Sequence, residues 1–121
     1  MFLIDSNIIV YSNLPAHEYL RALFFEQSVF ISEISRLEVL GYHKIKEDED
    51  VYFKNIFKLV PIIFPSQEIY DTAIEIRKSH NLKLGDSIIA ATALVHKLAI
   101  YSRNLKDFEK VDGLVCINLI R

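Results

Sequence analysis

Three acids stand where acids are out of place. Asp5 lies between Phe2-Leu3-Ile4 and, two residues on, Ile8-Ile9-Val10. Glu38 is flanked by Leu37, Val39 and Leu40, and Asp86 opens the most apolar stretch of the chain, Ser87 to Val95. A carboxylate taken out of water without a partner is costly, or its pKa shifts until it is neutral. Three such groups in one small chain ask for compensation. A shared cation supplies it, and hard divalent ions such as Mg²⁺ or Mn²⁺ prefer carboxylate oxygens. Each acid also has a purely structural role open to it. Asp5 and Asp86 are natural N-caps for the helices that follow them, and Ser35-Arg36-Leu37-Glu38 matches the Ser-x-x-Glu capping box. That box requires a helix starting at Ser35. A start at Ser32, at the end of a strand, puts Glu38 in the second turn, too deep to cap.

Other chemistries are excluded by scarcity. Glycines at 41, 85 and 113 alone cannot build a phosphate cradle, which needs several in one tight turn. Cys116 is the single cysteine, so there is no disulfide framework and no thiolate zinc cluster. The histidines at 17, 43, 80 and 96 form no metal-binding pair, and no Gly-x-Ser-x-Gly elbow is present. Catalysis, if there is any, rests on carboxylates.

A length of 121 residues predicts one domain, 1–121, and 51% hydrophobic with 25% charged residues is an ordinary globular mix. Fourteen Lys and Arg against 16 Asp and Glu argue against a basic protein that coats nucleic acid. They do not argue against a nucleic-acid enzyme. With Asp5, Glu38, Asp86 and Asp107 set aside around a cation, 12 acids face 14 bases, a mildly basic remainder. No apolar stretch reaches the roughly 18 residues of a membrane span, and the start lacks the features of a signal peptide. The expected location is cytoplasmic, with no membrane association.

The elements that must position the acids follow from pattern and punctuation. Strands are expected at Phe2–Ile4, Ser28–Ser32, Pro61–Pro65, Leu98–Ser102 and Leu114–Leu119. Between them, Ser6 and Asn7 cap a helix to about Asn13, and Pro15 starts another to about Gln27. Further helices run from about Glu33 to Leu40, closed by Gly41, from Glu47 onward, after Ser66, and from Asp86. Unbroken apolar strands alternating with helices predict an α/β fold, a mostly parallel sheet with helices on both faces. Function in such sheets gathers at the carboxyl ends of the strands, where Asp5 and Ser102 fall. The helix after Pro15, carrying Tyr19, Leu20, Leu23, Phe24 and Phe25, has more aromatics than a one-sided stripe needs, and suits a dimer or partner contact.

Four segments resemble the successive motifs of PIN domains. They are Phe2-Leu3-Ile4-Asp5-Ser6-Asn7, the Ser32 to Glu38 helix, Gly85-Asp86-Ser87-Ile88-Ile89-Ala90-Ala91-Thr92-Ala93, and Tyr101-Ser102-Arg103-Asn104-Leu105-Lys106-Asp107-Phe108. Their order and spacing agree across essentially the whole chain, and the size is most similar to VapC-type toxins of toxin–antitoxin pairs. The resemblance implies a three-layer α/β/α sandwich, Mg²⁺- or Mn²⁺-dependent endoribonuclease activity, a homodimer, and inhibition by a small cognate antitoxin. By match to the motifs, Asp5, Glu38 and Asp86 take the places of the core acids. Many members carry a fourth acid where this chain has Asn104; others have Asn there and an Asp three residues on, as Asp107 is here. Asn104 adds no charge, which leaves one metal or two open.

Together these readings imply metal-assisted hydrolysis of a phosphodiester, with RNA as the substrate through the resemblance alone. Asp5, Glu38 and Asp86 hold the metal, with Asp107 or Asn104 contributing, while Ser6 and Asn7 orient Asp5. Arg103 is the foremost phosphate contact, ahead of Lys83 and Lys106, and Tyr11, Tyr42 and Tyr101 could stack on bases, although core or interface packing is the more common use of such residues. Two other classes are open. One is a catalytically silent PIN-like module that only binds a partner protein. The other is a phosphatase with Asp5 as nucleophile, weakened because the second Asp of Asp-x-Asp is here Asn7.

Overall fold

Short, unbroken apolar runs become the strands of one sheet, and longer amphipathic stretches cover it. The computed structural model describes all 121 residues. In chain order they form β1 (Phe2–Ile4), α1 (Ser6–Ser12), a 3₁₀ segment (Pro15–Phe25), β2 (Val29–Ser32), α2 (Glu33–Leu40), α3 (Glu47–Leu59) and β3 (Ile62–Ile63). There follow α4 (Gln67–Ser79), α5 (Leu84–His96), β4 (Ala99–Tyr101), α6 (Leu105–Phe108) and β5 (Cys116–Ile117). The sheet order is β3-β2-β1-β4-β5, and every neighbouring pair is parallel. Leu3 of the central strand lies opposite Phe30 on one side and Ile100 on the other.

The alternation of strand side chains splits the core into two layers. Leu3 and Ile100 point into a cluster with Ile69, Ala73 and Ile76 of α4, Ile88 to Ala91 of α5, and Phe108. Ile4, Val29 and Ile31 point the other way, into Ile8 and Ile9 of α1, Leu20, Leu23 and Phe24, Val39, and Phe53, Ile56 and Phe57 of α3. The result is the three-layer α/β/α sandwich expected from sequence. Its helices start as their caps dictate. Ser32 accepts a hydrogen bond from the Ile34 N–H and Ser66 one from the Ile69 N–H, each at 3.2 Å.

Four local expectations are corrected. The segment after Pro15 is a 3₁₀ helix ending at Phe25, interrupted at His17 (φ −121°, ψ 24°). Its anchors Leu20 and Leu23 sit three apart, a spacing that lines up on one face of a three-residue turn. Leu20, Leu23 and Phe24 are consumed by the core, so the surplus of aromatics at the surface reduces to Phe25, 75% exposed. The strand between Pro61 and Pro65 shrinks to Ile62–Ile63, since prolines bring no N–H to a ladder. Helix α5 starts at Leu84 with Lys83 at the N-cap, two residues earlier than expected, so Asp86 sits in the first turn and is not its cap. The four-residue α6 was not anticipated.

Ile89 is fully buried in α5, against the sheet. Ile89→Ala should lower the unfolding free energy by about 2–5 kcal/mol, measured by urea denaturation with an unchanged slope.

Candidate active site

The strand order reverses at β1. The chain builds outward through β2 and β3, then crosses back to lay β4 on the other side of β1. Carboxyl ends of strands at such a reversal leave a crevice. Asp5 ends β1 there and Ser102 follows β4, their strands tied by the Asp5 N–H to the Tyr101 carbonyl at 2.9 Å.

Asp5 is 3% exposed and caps α1, so the structural role open to it is filled. Its Oδ1 accepts from the Ser6 N–H at 2.8 Å, and its Oδ2 accepts from the Ser102 hydroxyl at 2.8 Å and the Asn7 amide at 3.3 Å. Burial nevertheless pushes its carboxyl above the ordinary 3.8, and the bonds from Ser102 and Ser6 recover only part. Capping α1 and bonding across to the residue after β4 are thus not competing roles; one side chain uses its two oxygens for different things.

The turn after β4 binds this group to the next. Ser102, fully buried, accepts from the Asn7 amide at 3.1 Å and the Asn104 N–H at 2.9 Å, while Asn7 Oδ1 accepts from the Arg103 N–H at 3.0 Å. The Asn104 side-chain NH₂ donates to Asp86 Oδ2 at 3.3 Å and to Asp107 Oδ2 at 3.1 Å. A carboxylate can only accept, which settles the orientation of that amide. Asp107 also receives Lys110 at 3.2 Å, and these donors hold its carboxyl below the usual range.

Glu38 and Asp86 complete the cluster. Burial raises Glu38, and the charges of Asp5 and Asp86 raise it further. Asp86 is raised by burial, then by Asp5 and Asp107, with Lys83 pulling it back. Glu38 is exposed, however, which corrects the expectation of three buried acids. Its apolar neighbours misled: α2 buries Ser35 and Val39, while Leu37 is 64% exposed. Gly85 leaves room for the Glu38 carboxylate, since a Cβ there would lie 3.0 Å from Glu38 Oε2. The acids stand apart, and no three carboxyl, imidazole or thiol groups close into a ready metal cage.

Of the residues singled out from sequence, Asp5, Asn7, Asp86, Asn104 and Asp107 share one hydrogen-bonded network with Ser6, and Glu38 joins it through charge alone. The Arg103 guanidinium lies over the Tyr11 ring, 5.2 Å from its centroid, and bonds its hydroxyl. Lys83 and Lys106 are exposed beside Asp86 and Asp107 respectively. Tyr101 is stacked on Phe2 at 4.3 Å between centroids, so it is packing and not a base platform; Tyr42 is 53% exposed. Ser102 was seen only as a strand end. Its position beyond an apolar strand, at the edge where Asp5 lies, was the signal of its role. Burial lifts the Cys116 thiol to about 11, which rules out a resting thiolate nucleophile.

The family model described as PIN domain matches residues 2–114. The chain belongs to the PIN domain family. Among curated proteins, Ribonuclease VapC1 of Rickettsia felis is 33% identical over 67 residues, 52% of this PIN domain chain and 48% of that protein, so the match spans about half the relative's length. Among solved structures, a toxin–antitoxin complex from Klebsiella pneumoniae is 31% identical with TM-score 0.77, covering 95% of this chain and 96% of that one. DNA-bound VapBC from Salmonella typhimurium, 20% identical with TM-score 0.83 over 97% and 96%, shares the fold.

The raised acids make a pH prediction. Asp5, Glu38 and Asp86 hold protons more tightly folded than unfolded, so the stability they contribute is complete below the ordinary 3.8 of the aspartates and is lost as pH rises through their raised values. Asp107 has the opposite sign, its contribution lost only as pH falls below 3.8. In chelator, the melting temperature of Asp5→Asn minus that of wild type should therefore grow from acid toward neutral pH. A difference independent of pH contradicts the assignment.

Proposed function

We propose that this PIN domain is a metal-dependent endoribonuclease, the toxin of a type II toxin–antitoxin pair acting in the cytoplasm. One observation carries the reading. Burial raises the carboxyls of Asp5, Glu38 and Asp86 at the carboxyl edge of the sheet, the charge of Asp5 raises Glu38 and Asp86 further, and none of the three is in an ion pair. Such a set is short of positive charge and built from hard oxygen donors, which fits a divalent ion, Mg²⁺ with Mn²⁺ able to replace it. Asp5, Glu38 and Asp86 would hold it, with Asp107 directly or Asn104 through its amide oxygen as the fourth group. When bound, the ion acidifies water and offsets charge on the phosphate oxygens.

The protein's own part is positioning. Ser102, Asn7 and the Ser6 N–H fix the Asp5 carboxylate without cancelling its charge, because all three are neutral donors. Arg103, held against Tyr11, with Lys83 and Lys106, meets the phosphates of the RNA. The phosphorus then gains a water oxygen and loses one ester oxygen, with no side chain forming a bond to it. Asn7 is occupied in orienting Asp5, as a phosphatase acid would not be.

The antitoxin partner is supported by the 31% likeness to a toxin–antitoxin complex. A homodimer belongs to the same proposal, and Phe25 beside the 48% exposed Leu59 is the apolar surface it would cover. No helix is long and apolar enough to cross a membrane.

Mixed RNA incubated with Mg²⁺ should be cut, and EDTA, Asp5→Asn or Asp86→Asn should reduce the rate at least about a hundredfold with the fold intact by circular dichroism. Cleavage at wild-type rate in EDTA overturns the reading. Asn104→Asp removes the bridge between Asp86 and Asp107 and adds a negative charge. It should lower the melting temperature in chelator and enlarge the upward shift produced by Mg²⁺, read by thermal denaturation.

A further inference from the structure

An RNA strand coming to this edge meets a cluster of acids, so cations at the same edge must offset the repulsion. Arg103 and Lys106 stand on the α6 side. On the other side, α4 and α5 are joined by only four residues, His80 to Lys83, and form a hairpin, which brings the end of α4 to the end of α5 that carries Asp86. A shallow cleft of about 610 Å³ opens there, lined by Arg77, Lys78, Ser79, His80 and Asn81.

Its chemistry is that of a phosphate and sugar contact. Arg77 makes no ion pair, and Lys78 reaches only Glu75, at 3.4 Å with both side chains well exposed, a pair of little strength in water. Arg77 and Lys78 also complement the negative end of α4, which accounts for their place in its last turn and leaves their donors free. Ser79 and Asn81 add neutral donors and acceptors for ribose hydroxyls. Leu82, 4% exposed, pins the turn to the core, and Lys83 of the same turn acts on the charge of Asp86, so one short turn joins the cleft to the site.

We propose that this cleft at the α4–α5 turn is a second RNA-backbone subsite, in which Arg77 and Lys78 hold a phosphate away from the scissile bond, opposite the Arg103–Lys106 flank. The inference rests on the endoribonuclease reading. The RNA then crosses the acids between two basic flanks.

The test measures binding of labelled single-stranded RNA to the full chain carrying Asp5→Asn, in Mg²⁺, between about 50 and 200 mM salt. Adding Arg77→Gln with Lys78→Gln should weaken binding most at low salt and flatten the plot of log affinity against log salt by about 1.4, or about 0.7 per lost cation. The melting temperature should fall only slightly, by the loss of two cations from the end of α4, with the circular dichroism spectrum unchanged. Parent-like affinity and slope in that variant overturn the subsite, as does a loss confined to binding of an antitoxin protein. If wild type in Mg²⁺ cleaves no RNA and the parent binds none, the endoribonuclease reading falls, and the subsite with it.

Discussion

Placing the Asp5 carboxyl in a buried position is the constraint on which the rest of the site depends. Its carboxyl ends the central strand, 3% exposed, and burial opposes its ionisation. The parallel sheet makes the placement possible, because all strands end on one edge and the reversal at β1 leaves a gap there. From that point its charge reaches outward and raises both Glu38 and Asp86. Three acids thus share one electrostatic problem, which Lys83 offsets only in part and only at Asp86.

The supporting groups are chosen to hold geometry and leave the charge in place. Around Asp5 they are a serine hydroxyl, an asparagine amide and a backbone N–H. An arginine there would have satisfied the same lone pairs and neutralised the site. Asn104 repeats the device one step further, its two amide hydrogens divided between Asp86 and Asp107. Only Asp107, at the margin, has an ammonium partner in Lys110. Positive charge is therefore kept to the flanks of the site.

Much of this was legible in residue pattern. The runs Phe2–Ile4 and Val29–Ser32 could not be long helices, and Ser32, Ser66 and Gly41 mark helix ends by chemistry that acts within three or four residues. Acids in apolar company pointed to the site, and for Asp5 the company did mean burial. For Glu38 it did not, because adjacency in sequence places Leu37 on the opposite face of a helix from Val39. The 3₁₀ geometry after Pro15 escaped for a similar reason, since it is decided by which residues the core accepts and not by local preference.

The amino-acid sequence by itself determined the class of fold, since apolar periodicity selects the elements, and the scarcity of Gly, Cys and His narrowed the candidate chemistry to carboxylates. What the tertiary structure alone decided is which groups meet. Ser102 lies 97 residues from the Asp5 it orients, and Asn104 lies 18 from the Asp86 it bridges. A hydrogen bond forms or fails over a few tenths of an ångström, a precision that spacing along a chain does not carry and that only the register of β1 against β4 supplies.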